Sequence, residues 1–154
     1  MAKGPQVGEQ APDFELQGTE GPFRLSELHG RRVVLLFYPG DNTPVCTKQF
    51  CSYRDNSAAM SGLDAVVVGI SHQDLASHEA FTTQYDLNVP LLADTDKRVA
   101  KLYGVAAPVM GTRRAAFIVD EQGFVRYRHV HALGVDYQDV DDLQKALAAL
   151  PAPA

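Results

Sequence analysis

Cysteine is scarce in this chain. Two occur in 154 residues, Cys46 and Cys51, both within the stretch FYPGDNTPVCTKQFCSYRD. A chain of this length buries enough core to stand without a covalent staple. Basic blocks are missing as well: Arg31-Arg32 and Arg113-Arg114 are isolated doublets, and the net charge is −5. That balance argues against a nucleic-acid partner. Apolar runs stop at five or six residues, far short of the ~20 needed for a membrane helix, so no membrane partner is expected. The opening MAKGPQVGEQAPDF has no apolar segment of the signal-peptide kind. The expectation is one domain over residues 1–154 in the cytoplasm, where thiols are kept reduced. There a close cysteine pair points to catalytic, redox or metal chemistry.

Strand and helix patterns alternate between two loose ends, the Pro/Gly-rich residues 4–12 and the tail 151–154. FEL and PFRL around QGTEG read as a short hairpin. RVVLLFY (32–38) is a continuous β-branched and apolar run, the mark of a strand buried on both faces. Helical patterning follows from Thr43 to about Met60. DAVVVGIS (64–71) is a second buried strand, DLASHEAFTTQYDL (74–87) a helix, and VPLLAD (89–94) a short strand. Asp94 or Asp96 can cap the next helix, which ends at Gly104. AAFIVD (115–120) and FVRYRHV (124–130) flank a turn, and YQDVDDLQKALAAL (137–150) is an amphipathic helix. The order predicts an α/β sandwich of the thioredoxin-like kind: a mixed central sheet, helices on both faces, and an N-terminal β-hairpin.

Cys46 falls at a privileged place in this pattern. The buried strand ends near Tyr38, and Pro39-Gly40-Asp41-Asn42 loops at its carboxyl end, where such sheets carry their sites. Thr43 or Asn42 is a candidate N-cap, and Pro44 suits a first helical turn. Cys46 then lies among free N–H groups at the positive end of the helix dipole. That placement favours thiolate, the nucleophilic form, over thiol. The alternative is a small buried hydrophobe.

Cys51 lies five residues further on. Along an intact helix that spacing is about 7.5 Å of rise and about 140° of rotation, so the Cα atoms stand roughly 8–9 Å apart. A disulfide needs about 7 Å or less. A bond between the two therefore requires the first turns to unwind, which speaks for a switch rather than a permanent staple. Cys51 as a plain packing residue stays open. A metal centre is poorly supported: it needs about four ligands, the cysteines do not share a helix face, and His29, His72, His78, His129 and His131 are scattered. Each histidine reads as a surface or packing residue.

PGDNTPVCT fits the signature P-x-x-x-T/S-x-x-C, with Pro39, Thr43 and Cys46 in register, and here the chain resembles the peroxiredoxins. The C-x4-C spacing and SYRD resemble the Q-type subgroup, also called bacterioferritin comigratory protein. GEQAPDFEL, VVVGIS, RAAFIVD and FIVDEQGFV are similar to further blocks along nearly the whole chain. The resemblance implies a thiol peroxidase for hydrogen peroxide and organic hydroperoxides, acting as a monomer and using no metal, haem or flavin. Cys46 would be the peroxidatic residue and Cys51 the resolving one, closing an intramolecular disulfide through a Cys46 sulfenic acid. Thr43 would orient the peroxide, Arg114 would stabilise the thiolate and the charge developing on oxygen, and Pro39 would shield the sulfur. Thioredoxin or a similar dithiol would restore the thiols. Arg114, not Arg113, has the spacing from FIVD for this role. Two positions depart from the subgroup: Val45 replaces a common Gly, and Gln49 replaces a common Glu, keeping a carbonyl acceptor but losing a charge. Tyr38, Phe50 and Met110 can line an apolar entrance, although core packing suits each of them.

Two rival readings follow from the same residues. A disulfide reductase would carry C-x-x-C at the helix start, and the spacing here is C-x4-C. A redox sensor or holdase switched by the Cys46–Cys51 disulfide is compatible with the helix geometry. It differs from a peroxidase in turnover.

Overall fold

The computed structural model describes residues 4–107, 111–131 and 137–150. Among them the elements run β1 (Glu15–Gly18), β2 (Gly21–Arg24), β3 (Val33–Phe37), α1 (Pro44–Asp55), α2 (Ser57–Ser61), β4 (Val66–Ser71), α3 (Leu75–Tyr85), β5 (Leu91–Ala93), α4 (Arg98–Leu102), β6 (Ala106–Ala107), β7 (Gly111–Thr112), β8 (Ala115–Val119), β9 (Val125–Val130) and α5 (Val140–Ala148). Seven strands form one mixed sheet in the order β2-β1-β5-β4-β3-β8-β9. β3, β4 and β5 are parallel, joined by helical crossovers, whereas β8 runs antiparallel to β3 and pairs antiparallel with β9. The β1–β2 hairpin adds antiparallel to β5.

All five residues of β3 are buried, as its unbroken apolar run requires. Alternation sends Val33, Leu35 and Phe37 to one face and Val34 and Leu36 to the other. The first set packs with Val99, Ala100 and Tyr103 on the α4 side. The second meets Phe50 and Tyr53 of α1, Phe81 of α3, and Leu143 and Leu147 of α5. Helices therefore cover both faces, and the architecture is the thioredoxin-like sandwich that the sequence order predicts. Gly69 in β4 lets α1 sit this close: a Cβ there would come within 2.8 Å of Phe50 Cζ and 2.9 Å of Leu91 Cδ2.

The differences from the sequence pattern are local. The helix expected from Thr43 to Met60 breaks at Asn56, whose backbone leaves the helical region (φ −112°, ψ 39°). Its Nδ2 donates to the Ser52 carbonyl at 2.7 Å, a side chain competing for a helix acceptor. The last helix starts at Val140, because Asp139 caps it in a reciprocal box with Asp142. Both expected caps of α4 contribute: the Asp94 carboxylate accepts from the Val99 and Ala100 N–H groups at 3.1 and 2.8 Å, and Asp96 accepts from Arg98 at 3.0 Å. The two-residue strands β6 and β7 pair with each other and are too short to show a period in sequence. Met110 and the tail 151–154 lie outside the described residues.

Candidate active site

The carboxyl end of β3 delivers the chain into the loop Pro39–Asn42, and Thr43 starts α1 as its N-cap. Asn42 takes a left-handed conformation (φ 61°) to make that turn. Thr43 Oγ1 accepts from the Cys46 N–H at 3.4 Å and donates to the Gly40 carbonyl at 3.2 Å. Pro44 has no N–H, so the Val45 N–H remains a first-turn donor without an intrahelical acceptor. Cys46 is fully buried, at 0% exposure. Pro39 is half-buried.

Arg114 reaches Cys46 from the sheet. It lies just before β8, two residues after β7, and is 2% exposed, while Arg113 faces solvent. Arg114, and not Arg113, is thus the arginine turned inward. Its Nη2 donates to Cys46 Sγ at 3.1 Å. Its Nη1 donates to Gln49 Oε1, so the neutral amide itself keeps a link to the guanidinium. The chain of contacts continues: Gln49 Nε2 donates to Tyr53 Oη at 2.9 Å, and the Tyr53 hydroxyl donates to the Gln138 carbonyl just before α5. Burial pushes the Tyr53 phenol well up from its ordinary value, so it stays a neutral donor. Buried Arg114 Nε–H has no hydrogen-bond partner among the described residues.

Cys51 sits on the same helix, half-buried, packed against the core that holds Val34, Phe50 and Phe81. Both thiols are free. With α1 intact from Pro44 to Asp55, the i,i+5 spacing keeps the sulfurs apart, as the helix geometry requires. Tyr38 and Phe50 are fully buried, which favours their packing role over an entrance. No group of three or more His, Cys, Asp and Glu side chains among the described residues is arranged to hold a metal ion, and no helix there is long and apolar enough to cross a membrane.

One constellation escaped the sequence pattern. Asp41 in the loop is buried, and its carboxylate accepts from the Tyr38 hydroxyl and the Ser77 hydroxyl, each at 2.7 Å. His78 Nδ1 lies 2.7 Å from the same carboxylate, and His78 Nε2 lies 3.0 Å from the Leu92 carbonyl. The Asp41 N–H donates to Gln73 Oε1. The signal for a buried His78 was present: it stands three residues after Leu75 and three before Phe81, on the apolar stripe of α3.

The AhpC/TSA family profile matches residues 7–128. Chloroplastic peroxiredoxin Q of Oryza sativa subsp. japonica is 42% identical over 123 residues, which are 78% of this chain and 57% of that protein. Peroxiredoxin Bcp of Bacillus subtilis is 35% identical over 126 residues, covering 77% of this chain and 80% of the relative. The crystal structure of peroxidoxin BcpB from Mycobacterium tuberculosis superposes with a TM-score of 0.84 at 31% identity, over 96% of this chain and 99% of that one. The chain thus spans little more than half the length of the rice relative, at 57%.

Proposed function

The chain belongs to the AhpC/TSA family, among the peroxiredoxins of the Q and Bcp kind, and on that footing we propose that it is a thiol peroxidase for hydrogen peroxide and organic hydroperoxides. The observation that carries the reading is the Arg114 Nη2–H on Cys46 Sγ at 3.1 Å in a fully buried site. The guanidinium and the helix N-terminus both face the negative charge that develops during attack.

The thiolate attacks the nearer peroxide oxygen. The O–O bond breaks, sulfur becomes sulfenic acid, and water or an alcohol leaves with the second oxygen. Negative charge spreads over S, O and O on the way. Arg114 and the Val45 N–H are the donors that support it, and the Thr43 hydroxyl, which donates to the Gly40 carbonyl at rest, turns to join them; fixed donors act most strongly where water is excluded. The unpartnered Arg114 Nε–H is a further donor for a substrate oxygen. Pro39 limits water at the sulfur. Cys51 then attacks the sulfenic sulfur, releasing water and leaving the Cys46–Cys51 disulfide. Because both thiols lie on one helix, a monomer suffices, and the first turn of α1 must open. A dithiol reductant of the thioredoxin kind completes the cycle in a reducing compartment such as the cytoplasm.

The test is intact mass with peptide mapping, on reduced protein given slightly less than one equivalent of hydrogen peroxide for a few seconds. Loss of two hydrogens mapped to Cys46–Cys51, followed by many turnovers when a dithiol protein is supplied, is the expected result. Unmodified thiols would overturn the reading. A single oxidation without turnover would favour the redox sensor instead.

A further inference from the structure

The His78–Asp41 contact has a fixed proton count. A carbonyl only accepts, so His78 Nε2, 3.0 Å from the Leu92 oxygen, carries a hydrogen. With Nδ1 bare, a lone pair would face the Asp41 carboxylate at 2.7 Å. A second proton therefore lies between Nδ1 and Oδ2. Two hydroxyls, of Tyr38 and Ser77, already donate to Asp41. Burial pushes the Asp41 carboxyl up, but the hydrogen bonds from His78, Tyr38 and Ser77 outweigh it and hold the carboxyl below its ordinary value. Burial first, then the Asp41 charge, pushes the Tyr38 phenol up, so it remains a neutral donor. The pair shares that proton away from water, with His78 at 0% and Asp41 at 7% exposure.

The position of this pair matters more than its strength. The Pro39–Asn42 loop is tied to the β4–α3 turn and to α3 through one residue: the Asp41 N–H binds Gln73, and the Asp41 carboxylate binds Ser77 and His78. The loop runs straight into Thr43 and the first turn of α1, the turn that must open before Cys46 meets Cys51. Without the His78 contact, the buried Asp41 carboxylate loses a hydrogen-bond partner and is driven toward water, and the loop moves with it.

We propose that His78 is a positioning residue that, through Asp41, latches the Pro39–Thr43 loop and sets how fast the Cys46 sulfenic acid is resolved by Cys51. The proposal rests on the peroxidase reading. The latch does not enter the chemistry; it sets the competition between two fates of the sulfenic acid. In one, the Cys51 thiol attacks, water leaves and the disulfide forms. In the other, a second hydrogen peroxide oxidises sulfur to sulfinic acid and is itself reduced to water.

Two substitutions separate the imidazole nitrogens. In His78→Asn the amide nitrogen stands close to Nδ1 and still donates to Asp41. In His78→Gln it stands close to Nε2 and serves Leu92 alone. Asp41→Asn keeps the shape but removes the charge and replaces one acceptor oxygen with a donor. Acid-quenched mass spectrometry on the full chain, at millimolar hydrogen peroxide, reads the ratio of disulfide to sulfinic acid and the resolution rate. His78→Gln and Asp41→Asn are expected to resolve about tenfold faster, with the ratio rising to match, while His78→Asn stays within about threefold of the parent. Ile118→Val, a trim in the same core cluster as Cys46 and Tyr38 but outside the Asp41 hydrogen bonds, is expected to keep the parental ratio. A parental ratio in His78→Gln, equal shifts in His78→Asn and His78→Gln, or the same shift in Ile118→Val would each overturn the latch. Failure of the parent to form any disulfide would overturn the peroxidase reading and the latch with it. A parental disulfide with unmoved variant ratios removes the latch alone.

Discussion

Replacing Arg114 tests how the site activates sulfur. Two charges about 4 Å apart at an effective dielectric of ~20 interact by ~4 kcal/mol, and the Nη2–Sγ contact is 3.1 Å. Rate changes tenfold per ~1.4 kcal/mol, so losing the whole interaction in the transition state corresponds to about 10³. That agrees with the ~10²–10³ lost when one positioned donor is removed from an oxyanion site. Arg114→Gln should therefore lower the second-order rate constant for Cys46 oxidation by about 10³. Arg114→Lys keeps the charge but cannot hold Cys46 and Gln49 together with one rigid fork, so it should lose about tenfold to hundredfold. The assay is rapid quenching into an alkylating reagent on a Cys51→Ser background, where the surviving thiol is Cys46 alone. Urea midpoints of the variants exclude unfolding as the cause. An Arg114→Gln rate within threefold of the parent would refute the idea that this guanidinium carries the activation.

Cys51→Ser should leave the first oxidation rate unchanged within about twofold and stop disulfide formation, so that sulfenic and then sulfinic acid accumulates on Cys46 by mass. Gly69→Ala places a methyl within 2.8 Å of the Phe50 ring and should cost about 1–3 kcal/mol, read as a fall in urea midpoint with an unchanged slope. Asp120 is held below its ordinary value of 3.8: burial raises it, but the Phe124 N–H, the Arg126 side chain and the Gln122 N–H outweigh burial. Its contribution is complete above the unfolded value and is lost as pH falls below about 3.8; Asp120→Asn should flatten that part of the urea stability profile, and an unchanged profile would remove Asp120 from acid unfolding. In native-state hydrogen exchange, the Thr47 amide should exchange faster than the Tyr53 amide by at least about tenfold, since the first turn opens alone; equal protection would mean that α1 opens only as a whole.

Much of this arrangement was legible in the chain because its signals are local. The unbroken run Val33–Phe37 names a central strand, and Thr43-Pro44 names the start of the helix that carries Cys46. Arg114 was recoverable through the family resemblance and its spacing from FIVD, whereas no core pattern asks for an arginine inside. The unread parts join residues far apart in sequence. Asp41 and His78 are 37 positions apart, and no periodicity marks a carboxylate in a loop as the partner of a histidine on a helix. The break at Asn56 was hidden for a different reason: Ser57 to Ser61 continue a helical composition, and only a side-chain bond to Ser52 ends the first segment. Gln49 read as a lost charge, yet its carbonyl meets Arg114 while its amide nitrogen meets Tyr53. A glutamate could accept from both neighbours but not donate to the tyrosine, so the amide gives this site a directed chain of donors toward Gln138.

The two ends of α1 are held by different physics. Its middle is fixed by aromatic burial: Phe50 lies on Gly69 and stacks edge-on with Tyr38, Tyr53 and Phe81 at 4.8, 5.6 and 6.4 Å, and Tyr53 is tied to Gln138. Removing a ring of that kind costs about 3–5 kcal/mol. The first turn carries no ring: beside the small buried Cys46 side chain, it is held by polar contacts, from Thr43, from Arg114 to Cys46, and from Asp41 behind the loop. Apolar burial gives way only when the ring leaves the core, whereas a polar contact can be exchanged for water or changed by chemistry at the atom itself. Oxidation of Cys46 does the latter: a neutral sulfenic acid no longer draws the Arg114 guanidinium as a thiolate does. In the proposed cycle, the event that creates the substrate for Cys51 therefore also loosens the turn that separates the two sulfurs, while the aromatic anchor keeps the rest of the helix, and Cys51 on it, in place.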